Sequence, residues 1–86
     1  MSYRIIVPKT VQKQINKLPN TIQARVIESL LSLKETPRPS NSLKMKNSQG
    51  YRLRVGDYRV LYDIDDKTQT MTLRRVAHRR DIYREQ

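Results

Sequence analysis

Residues 51–62 read YRLRVGDYRVLY, and this segment decides the fold. Apolar and basic side chains alternate on both sides of Gly56-Asp57, the pattern of two half-buried strands joined by a tight hairpin turn. Because successive residues of a strand point to opposite faces of the sheet, one face receives tyrosine, leucine and valine. The other face is predicted to receive Arg52, Arg54 and Arg59.

A helix hairpin is predicted upstream, after a short strand over residues 3–7. Apolar residues recur at helical spacing over residues 9–18 and again over 22–33. Asn20 followed by Gln23 predicts a capped start for the second helix. Two helices joined by so few residues must lie side by side as an antiparallel hairpin.

The alternation of period two continues on both sides of the central hairpin. A proline-containing loop over residues 36–42 leads into a strand around 43–46, and a last strand is predicted over 69–77. We expect the polar tail from residue 78 to form a helical turn or to fray. The order β-α-α-β-β-β-β predicts a single α+β domain over residues 1–86, with the N-terminal strand and helix hairpin packed on one face of an antiparallel sheet.

Composition narrows the classes of function. The 86 residues include 18 Lys+Arg and 8 Asp+Glu, a formal net charge of +10 that favours a polyanionic partner such as nucleic acid. With no cysteine and one histidine, disulfide scaffolds, zinc fingers and thiol nucleophiles are excluded, and neither a metal nor another cofactor is expected. No apolar run approaches the roughly 20 residues that cross a bilayer, and the N-terminus is unlike a signal peptide. We therefore expect a cytoplasmic protein that does not contact membranes.

Most of the arginine lies in the second half of the chain. Eight of the eleven arginines fall between residues 52 and 84. Guanidinium groups pair bidentately with phosphate and stay charged, whereas like charges on adjacent strands destabilise a sheet. The cluster therefore favours phosphate binding, although a merely solvated sheet face is the alternative for each residue taken singly. Further basic residues that we expect to contact RNA are Lys44, Lys46, Arg74, Arg75 and Arg80.

The tail supplies the groups that could transfer protons. His78 and Tyr83 flank Arg79, and nearby positive charge would lower the pKa of a tyrosine and help it act as a base. A lone histidine is more often structural than catalytic. Tyr83 and Ile82 could equally serve to anchor the tail to the body of the domain.

The 51–62 segment, together with HRRDIY at residues 78–83, resembles the RelE/ParE toxin superfamily, and most closely its RelE branch. The resemblance extends over essentially the whole chain and includes Lys17-Leu18-Pro19 in the helix hairpin, the loop at Pro37, and Leu43. It implies a toxin of a type II toxin–antitoxin system: a ribosome-dependent, metal-independent endoribonuclease. Such toxins cleave mRNA in the ribosomal A site, inhibit translation and are neutralised by a cognate antitoxin. The implied partners are that antitoxin, the ribosome and mRNA, with DNA bound only through the antitoxin.

The resemblance also implies roles for individual residues. The family's catalytic positions are matched here by Arg52, Arg54, Arg59, Arg79 and Tyr83. The best-known members carry lysines at the first two positions, and an arginine hardly ever releases its proton, so these two are expected to hold phosphate. Tyr83 is the candidate base, and His78 is a lesser candidate for proton transfer.

Two other functions remain open from the sequence. A toxin of the ParE branch would bind and poison DNA gyrase without cutting RNA, and the sequence separates the two branches poorly. A non-catalytic basic module would instead bind RNA or an acidic peptide without turnover.

Overall fold

The structure, a computed structural model, describes residues 2–46 and 50–84, with Tyr83 and Arg84 described in their backbone alone. The elements in chain order are β1 (Arg4–Ile6), α1 (Lys9–Asn16), α2 (Asn20–Glu35), β2 (Ser42–Lys44), β3 (Gly50–Val55), β4 (Tyr58–Asp65), β5 (Thr70–His78) and α3 (Arg79–Arg84). None of the helices in these ranges is long and apolar enough to cross a membrane.

The five strands form one sheet in the order β1-β5-β4-β3-β2. The predicted α+β class and the order β-α-α-β-β-β-β are confirmed. The sheet differs from the predicted antiparallel one at one edge: β1 does not pack on its face with the helix hairpin but joins the sheet, pairing in parallel with β5 so that Arg4 lies opposite Thr70. Parallel strands cannot be joined by a short hairpin turn. Here the connection between β1 and β5 consists of all the elements that lie between them in the chain.

The helix hairpin covers one face of the sheet and forms the core with it. Val11 and Ile15 of α1 and Val26 and Leu33 of α2 are each at most 4% exposed. Removing each large apolar side chain from water contributes about 1.5–3 kcal/mol, so this layer supplies the main driving force for folding. The strand residues buried to the same degree are Leu53, Val55, Val60, Tyr62, Met71, Leu73 and Val76.

The start of α2 differs from the sequence prediction. Pro19 occupies the N-cap position, Asn20 is the first helical residue, and no side chain caps this end. Gln23 donates instead from its Nε2 to the carbonyl of Ile15 in α1, at 3.0 Å. The predicted Asn20–Gln23 capping pair is therefore wrong, and Gln23 links the two helices.

The predicted turn at Gly56-Asp57 is confirmed as a two-residue connection between β3 and β4. Val55 lies opposite Tyr58 at the closed end of the hairpin. Gly56 has φ of 60°, in the left-handed region, as expected for the first central residue of a type II′ turn. Glycine adopts this conformation without steric cost, which explains its place in the segment.

The tail forms a short helix that is tied to the hairpin turn. The backbone N–H of Arg79 donates to the carbonyl of Asp57 at 2.8 Å. Ile82 is fully buried where α3 packs against β4 and β5, outside the main core cluster. Of the two tail conformations that the sequence left open, the helical turn is the one observed.

Substitution of Gly56 tests the turn. We expect Gly56→Ala to lower the free energy of unfolding by about 1–2 kcal/mol, because the Cβ of alanine makes the left-handed conformation sterically unfavourable. A Cβ at this position would also lie 3.0 Å from Nη1 of Arg25. Gly56→Asn should cost less, since asparagine adopts positive φ more readily. Urea unfolding of the three proteins measures both differences, and equal stability of the alanine and asparagine variants would contradict this account of the turn.

Candidate functional site

The sheet face opposite the helices brings the predicted arginines together. Arg54 lies directly opposite Arg59 in the β3–β4 pairing, and Arg52 lies opposite Leu61. Directly opposed residues of antiparallel strands have Cα atoms about 4.5–5.5 Å apart. The predicted placement of Arg52, Arg54 and Arg59 on the face away from the core is therefore confirmed.

A groove of about 490 Å³ lies on this face and is called the arginine groove below. One side is cationic, and the other is an uncharged wall from the loop before β2 and from β2 itself. Its volume falls in the range of small-ligand sites, about 300–1,000 Å³. The lining residues are Ser40, Asn41, Leu43, Arg52, Arg54 and Arg59.

Arg59 has a structural task in addition to its place in the groove. Its Nη1 donates to the carbonyl oxygens of Gly56 and Tyr58, both at 2.9 Å. These bonds hold the guanidinium against the hairpin turn and offset part of the repulsion from Arg54. The side chain is thus fixed in position while it stays partly exposed to a ligand.

The loop that forms the uncharged wall is anchored to the body of the domain. The Tyr62 hydroxyl donates to the carbonyl of Pro37 at 2.8 Å, and the Ser42 hydroxyl donates to that of Pro39 at 2.7 Å. Burial raises the pKa of Tyr62, so its hydroxyl remains a donor. Two prolines with fixed φ further restrict the loop. The wall is therefore held in one conformation before any ligand binds.

Asn41 joins this wall to β3. Its backbone carbonyl accepts the N–H of Arg54 at 3.0 Å, and its side-chain Nδ2 donates to the carbonyl of Arg54 at 2.9 Å. These two bonds place Asn41 beside Arg54, immediately before the first residue of β2.

A second arginine network lies away from the groove and was not predicted. Arg38 donates from Nη2 to Asp66 at 2.9 Å and from Nε to the Tyr51 hydroxyl at 2.9 Å, while the Tyr3 hydroxyl donates to Asp66 at 2.7 Å. The hydrogen bond from Arg38, then that from Tyr3, lowers the pKa of Asp66. The same carboxylate raises the pKa of Tyr3. The network ties the N-terminus, the loop before β2 and the β4–β5 turn together, and no sequence spacing indicates it.

The tail residues predicted for catalysis lie in α3. Arg79 is exposed at the start of this helix and is tied through its backbone to the hairpin turn. Tyr83 belongs to α3, and its side chain lies outside the described part of the structure. Arg75 lies opposite Leu61 and so shares the open face with the arginine groove. Arg80 is exposed on α3.

His78 is placed on the other face of the sheet. It lies opposite Tyr58, and the two rings meet edge to face with centroids 5.4 Å apart. The backbone N–H of Arg80 is 3.2 Å from its Nδ1, which accepts that hydrogen bond. The fold therefore does not bring His78 into the arginine groove.

None of the five predicted RNA contacts is among the described residues that line the arginine groove. Arg74 sits at the irregularity between β4 and β5 and forms an ion pair with Asp63 at 2.7 Å. Lys44 lies opposite Tyr51, on the helix side of the edge strand β2, and Lys46 is exposed in the turn that follows. Within the described ranges, no group of three or more His, Asp or Glu side chains could hold a metal ion.

Arg25 is a further cation near the hairpin that sequence reasoning missed. It belongs to α2, and its Nη1 lies 3.0 Å from where a Cβ on Gly56 would be. The guanidinium therefore lies over the turn that joins the two arginine-bearing strands. As one exposed charge on an amphipathic helix, it carries no signal in the sequence that would distinguish it.

Comparison with known proteins gives concordant results. Residues 5–83 match the model of a family described as the ParE toxin of the type II toxin–antitoxin system parDE. The chain is 36% identical over 86 residues to toxin RelG of Mycobacterium tuberculosis, covering 98% of this chain and 99% of the relative. The archaeal RelE–RelB complex of Pyrococcus horikoshii contains a similar chain, with a TM-score of 0.83, 29% identity and coverage of 92% and 97%. A chain of the toxin–antitoxin complex RelBE2 of M. tuberculosis has a TM-score of 0.78, 31% identity and coverage of 91% and 99%.

The Arg38–Asp66 network predicts a specific response to acid. Asp66 has its pKa lowered in the folded protein, so it contributes stability above its ordinary pKa of 3.8, and this contribution is lost as the pH falls through the folded value. We expect Asp66→Asn to be less stable than the unmodified protein at pH 7 and to approach it in stability at about pH 3. Urea unfolding at both values tests this. Asp65→Asn, in the same turn, is the matched control, and an equal stability deficit for Asp66→Asn at both pH values would contradict the assignment.

Proposed function

The chain belongs to the RelE/ParE superfamily of type II toxin–antitoxin toxins, and we propose that it is a ribosome-dependent endoribonuclease that cleaves mRNA in the ribosomal A site. The observation that carries the proposal is the arginine groove. Arg52, Arg54 and Arg59 converge on one concave surface in a protein of net charge +10. Such a surface is suited to the phosphates of a single-stranded RNA.

RNA supplies its own nucleophile, so the protein needs to orient and stabilise rather than to attack. In the proposed reaction the 2′-hydroxyl attacks the adjacent 3′ phosphorus in line and loses its proton to a base. The bond to the 5′ oxygen breaks, and that oxygen gains a proton. The products are a 2′,3′-cyclic phosphate and a 5′-hydroxyl end. No metal or other cofactor enters the mechanism.

Each arginine would act through charge. Arg52 and Arg54 would hold the flanking phosphate and orient the reacting one, and Arg59 would stabilise the pentacoordinate phosphorane. Because Arg59 is already held by two carbonyls, it needs little reorganisation when charge develops. Arg79, whose backbone N–H is bonded to the hairpin turn at Asp57, would complete this stabilisation.

The proton transfers are assigned to Tyr83, with the ribosome arranging the substrate. Among the described residues, those that line the arginine groove are Ser, Asn, Leu and Arg, and none of them is an Asp, Glu, His or Tyr. Tyr83, on the helix that begins beside the turn, is the proposed base. His78 faces the opposite side of the sheet, so the proposal gives it no part in the chemistry. An enzyme with few described proton-transfer groups would depend on the ribosome to bend and orient its RNA substrate.

The proposed partners are a cognate antitoxin, the ribosome and mRNA, which would place the protein in the cytoplasm. Two of the similar structures are toxin–antitoxin complexes by their descriptions. An antitoxin would neutralise the toxin by presenting carboxylates to the arginine groove or by displacing α3 from the sheet. Contact with DNA would come through the antitoxin.

A second candidate function is the poisoning of DNA gyrase. It is favoured by one observation, that the matching family model is that of ParE toxins. A gyrase poison would trap cleaved DNA in a supercoiling assay and leave mRNA intact, so the two functions are distinguished directly.

Substitution of Arg59 or Arg79 tests the proposed nuclease. We expect Arg59→Ala and Arg79→Ala each to slow cleavage by about 10²–10³-fold, the loss typical of removing one group that stabilises a transition-state charge. The measurement is the mapping of 5′ ends on an mRNA incubated with the protein, with and without ribosomes stalled on it. Cleavage at A-site codons is expected with ribosomes present.

Lys13→Ala is the control for net charge, because Lys13 is exposed on α1 on the other side of the sheet. It should cut at the unmodified rate. Since Arg59 also supports the turn, urea unfolding of each variant separates lost folding from lost catalysis. Folded arginine variants that cut at the unmodified rate would refute the assignment. Absence of cleavage by the unmodified protein, with cleaved DNA in the gyrase assay, would favour the second candidate.

Antitoxin binding gives an independent prediction. The toxin–antitoxin complex should bind RNA much more weakly than the free toxin, because the arginine groove would be covered or neutralised. Fluorescence anisotropy with a labelled single-stranded RNA measures both affinities. Equal affinity of the free toxin and the complex would show that the antitoxin acts at some other surface.

A further inference from the structure

We propose that His78 is the N-cap of α3 and that, through this cap, it positions Arg79 and Tyr83 for the proposed reaction. The inference rests on the proposed function and deepens it, because it gives a task to a residue that the fold keeps away from the arginine groove. His78 would act through the backbone of α3 and would touch neither the RNA nor the reacting atoms. It is therefore a positioning residue.

The junction between β5 and α3 places His78 at the cap. His78 is the last residue of β5, and α3 begins at the next residue. Its Nδ1 accepts the backbone N–H of Arg80, the second residue of the helix, at 3.2 Å. An N-cap residue has a non-helical backbone, and its side chain accepts from the second or third N–H of the helix. The geometry is thus that of an N-cap in which an imidazole nitrogen takes the place of an oxygen.

This cap encloses the backbone of Arg79. The N–H of Arg79 donates to the carbonyl of Asp57 at 2.8 Å, and the residues on either side of it are joined by the bond from Arg80 to His78. The backbone from which the Arg79 side chain extends is therefore held by the hairpin turn and by the cap together. Small displacements of a group that acts on the transition state are costly in rate. Fixing this backbone bears directly on the proposed stabilisation of the phosphorane.

The ring of His78 is itself held in place by Tyr58. The two residues are opposite each other in the β4–β5 pairing, and their rings meet edge to face at an interplanar angle of 76°. The carbonyl of the same Tyr58 accepts from Nη1 of Arg59 at 2.9 Å. Tyr58 thus supports both the cap and one of the proposed catalytic arginines. Since Nδ1 accepts a hydrogen bond, the neutral ring carries its proton on Nε2.

The length of α3 makes such a cap necessary. The helix has six residues, fewer than an isolated helix needs to be stable in water. The N–H groups of a first helical turn have no partners within the helix, and here those of Arg79 and Arg80 are bonded to Asp57 and His78. The fully buried Ile82 anchors the helix through apolar contact. The cap fixes where the helix starts, and Tyr83 lies one turn beyond Arg79.

Three substitutions of His78 separate the cap from the ring contact. His78→Asn removes the ring and keeps an acceptor at the same distance from the backbone, and asparagine is a favoured N-cap residue. His78→Phe keeps a ring against Tyr58 and removes the acceptor. His78→Ala removes both. The measurements are hydrogen–deuterium exchange of the backbone amides of residues 79–84, at about pH 8 where a histidine ring is neutral, and the rate of mRNA cleavage on stalled ribosomes.

The alanine and phenylalanine variants should exchange these amides about fivefold faster than the unmodified protein, the ratio that corresponds to loss of a typical helix cap. We expect the same two variants to cut mRNA about fivefold more slowly at saturating ribosome concentration, if the cap energy is fully expressed in the reacting geometry. The half-saturating concentration should stay close to that of the unmodified protein, because the arginine groove is intact. His78→Asn should match the unmodified protein in exchange and in cleavage.

Lys9→Ala is the control for a change at a helix start. Lys9 is the exposed first residue of α1, another short helix, whose start has no side-chain cap. This variant should alter neither exchange in α3 nor cleavage. Urea unfolding of each variant separates a loosened tail from a destabilised domain. Rescue by phenylalanine and not by asparagine, or unchanged exchange in His78→Ala, would overturn the cap.

The two measurements also distinguish this inference from the proposed nuclease. Faster exchange in His78→Ala with an unmodified rate of cleavage would overturn the positioning role and leave the nuclease standing. If the unmodified protein cuts no mRNA, faster exchange in the alanine and phenylalanine variants with rescue by asparagine would still support the cap, and the proposed nuclease alone would fail.

Discussion

The register of the β3–β4 hairpin is the constraint on which the rest of the structure depends. A two-residue turn places Val55 opposite Tyr58 and, one step further, Arg54 opposite Arg59. In this register the leucine, valine and tyrosine side chains point to the helices. The same register brings the arginines together on the opposite face of the sheet. Because side chains alternate with a period of two, a slip of one residue would exchange the two faces and bury the arginines. Core and candidate site are therefore products of one turn.

The charges of the candidate site occupy positions that do not favour the stability of the sheet. Arg54 and Arg59 are like charges on directly opposed positions, an arrangement that destabilises a sheet. The turn carbonyls that accept from Arg59 offset part of this repulsion. The remainder is the kind of local conflict expected at a functional surface, where a polyanion completes the arrangement. The apolar Leu43 beside these charges is a second conflict of the same kind.

The features predicted correctly from the sequence are those with local periodicity. The hairpin, the apolar core face and the arginine face all follow from alternation within residues 51–62, and both helices follow from their apolar spacing. The features missed depend on contacts between distant residues, such as Arg38 with Asp66, 28 positions apart. The side of the sheet on which His78 lies could not be predicted for a different reason. The register shift near Leu61 moves the alternation of β5 by one step, and no glycine or proline marks it in that strand.

The parallel pairing of β1 with β5 has a consequence for the order in which the chain becomes structured during synthesis. The strand β1 cannot pair with its neighbour in the sheet until residues 70–72 have been made. Met71 and Leu73, which complete the core beneath the helices, arrive equally late. The sheet of the nascent domain therefore stays incomplete until β5 has been made. For a protein proposed to attack translating ribosomes, this dependence postpones the folded state until that strand has been synthesised.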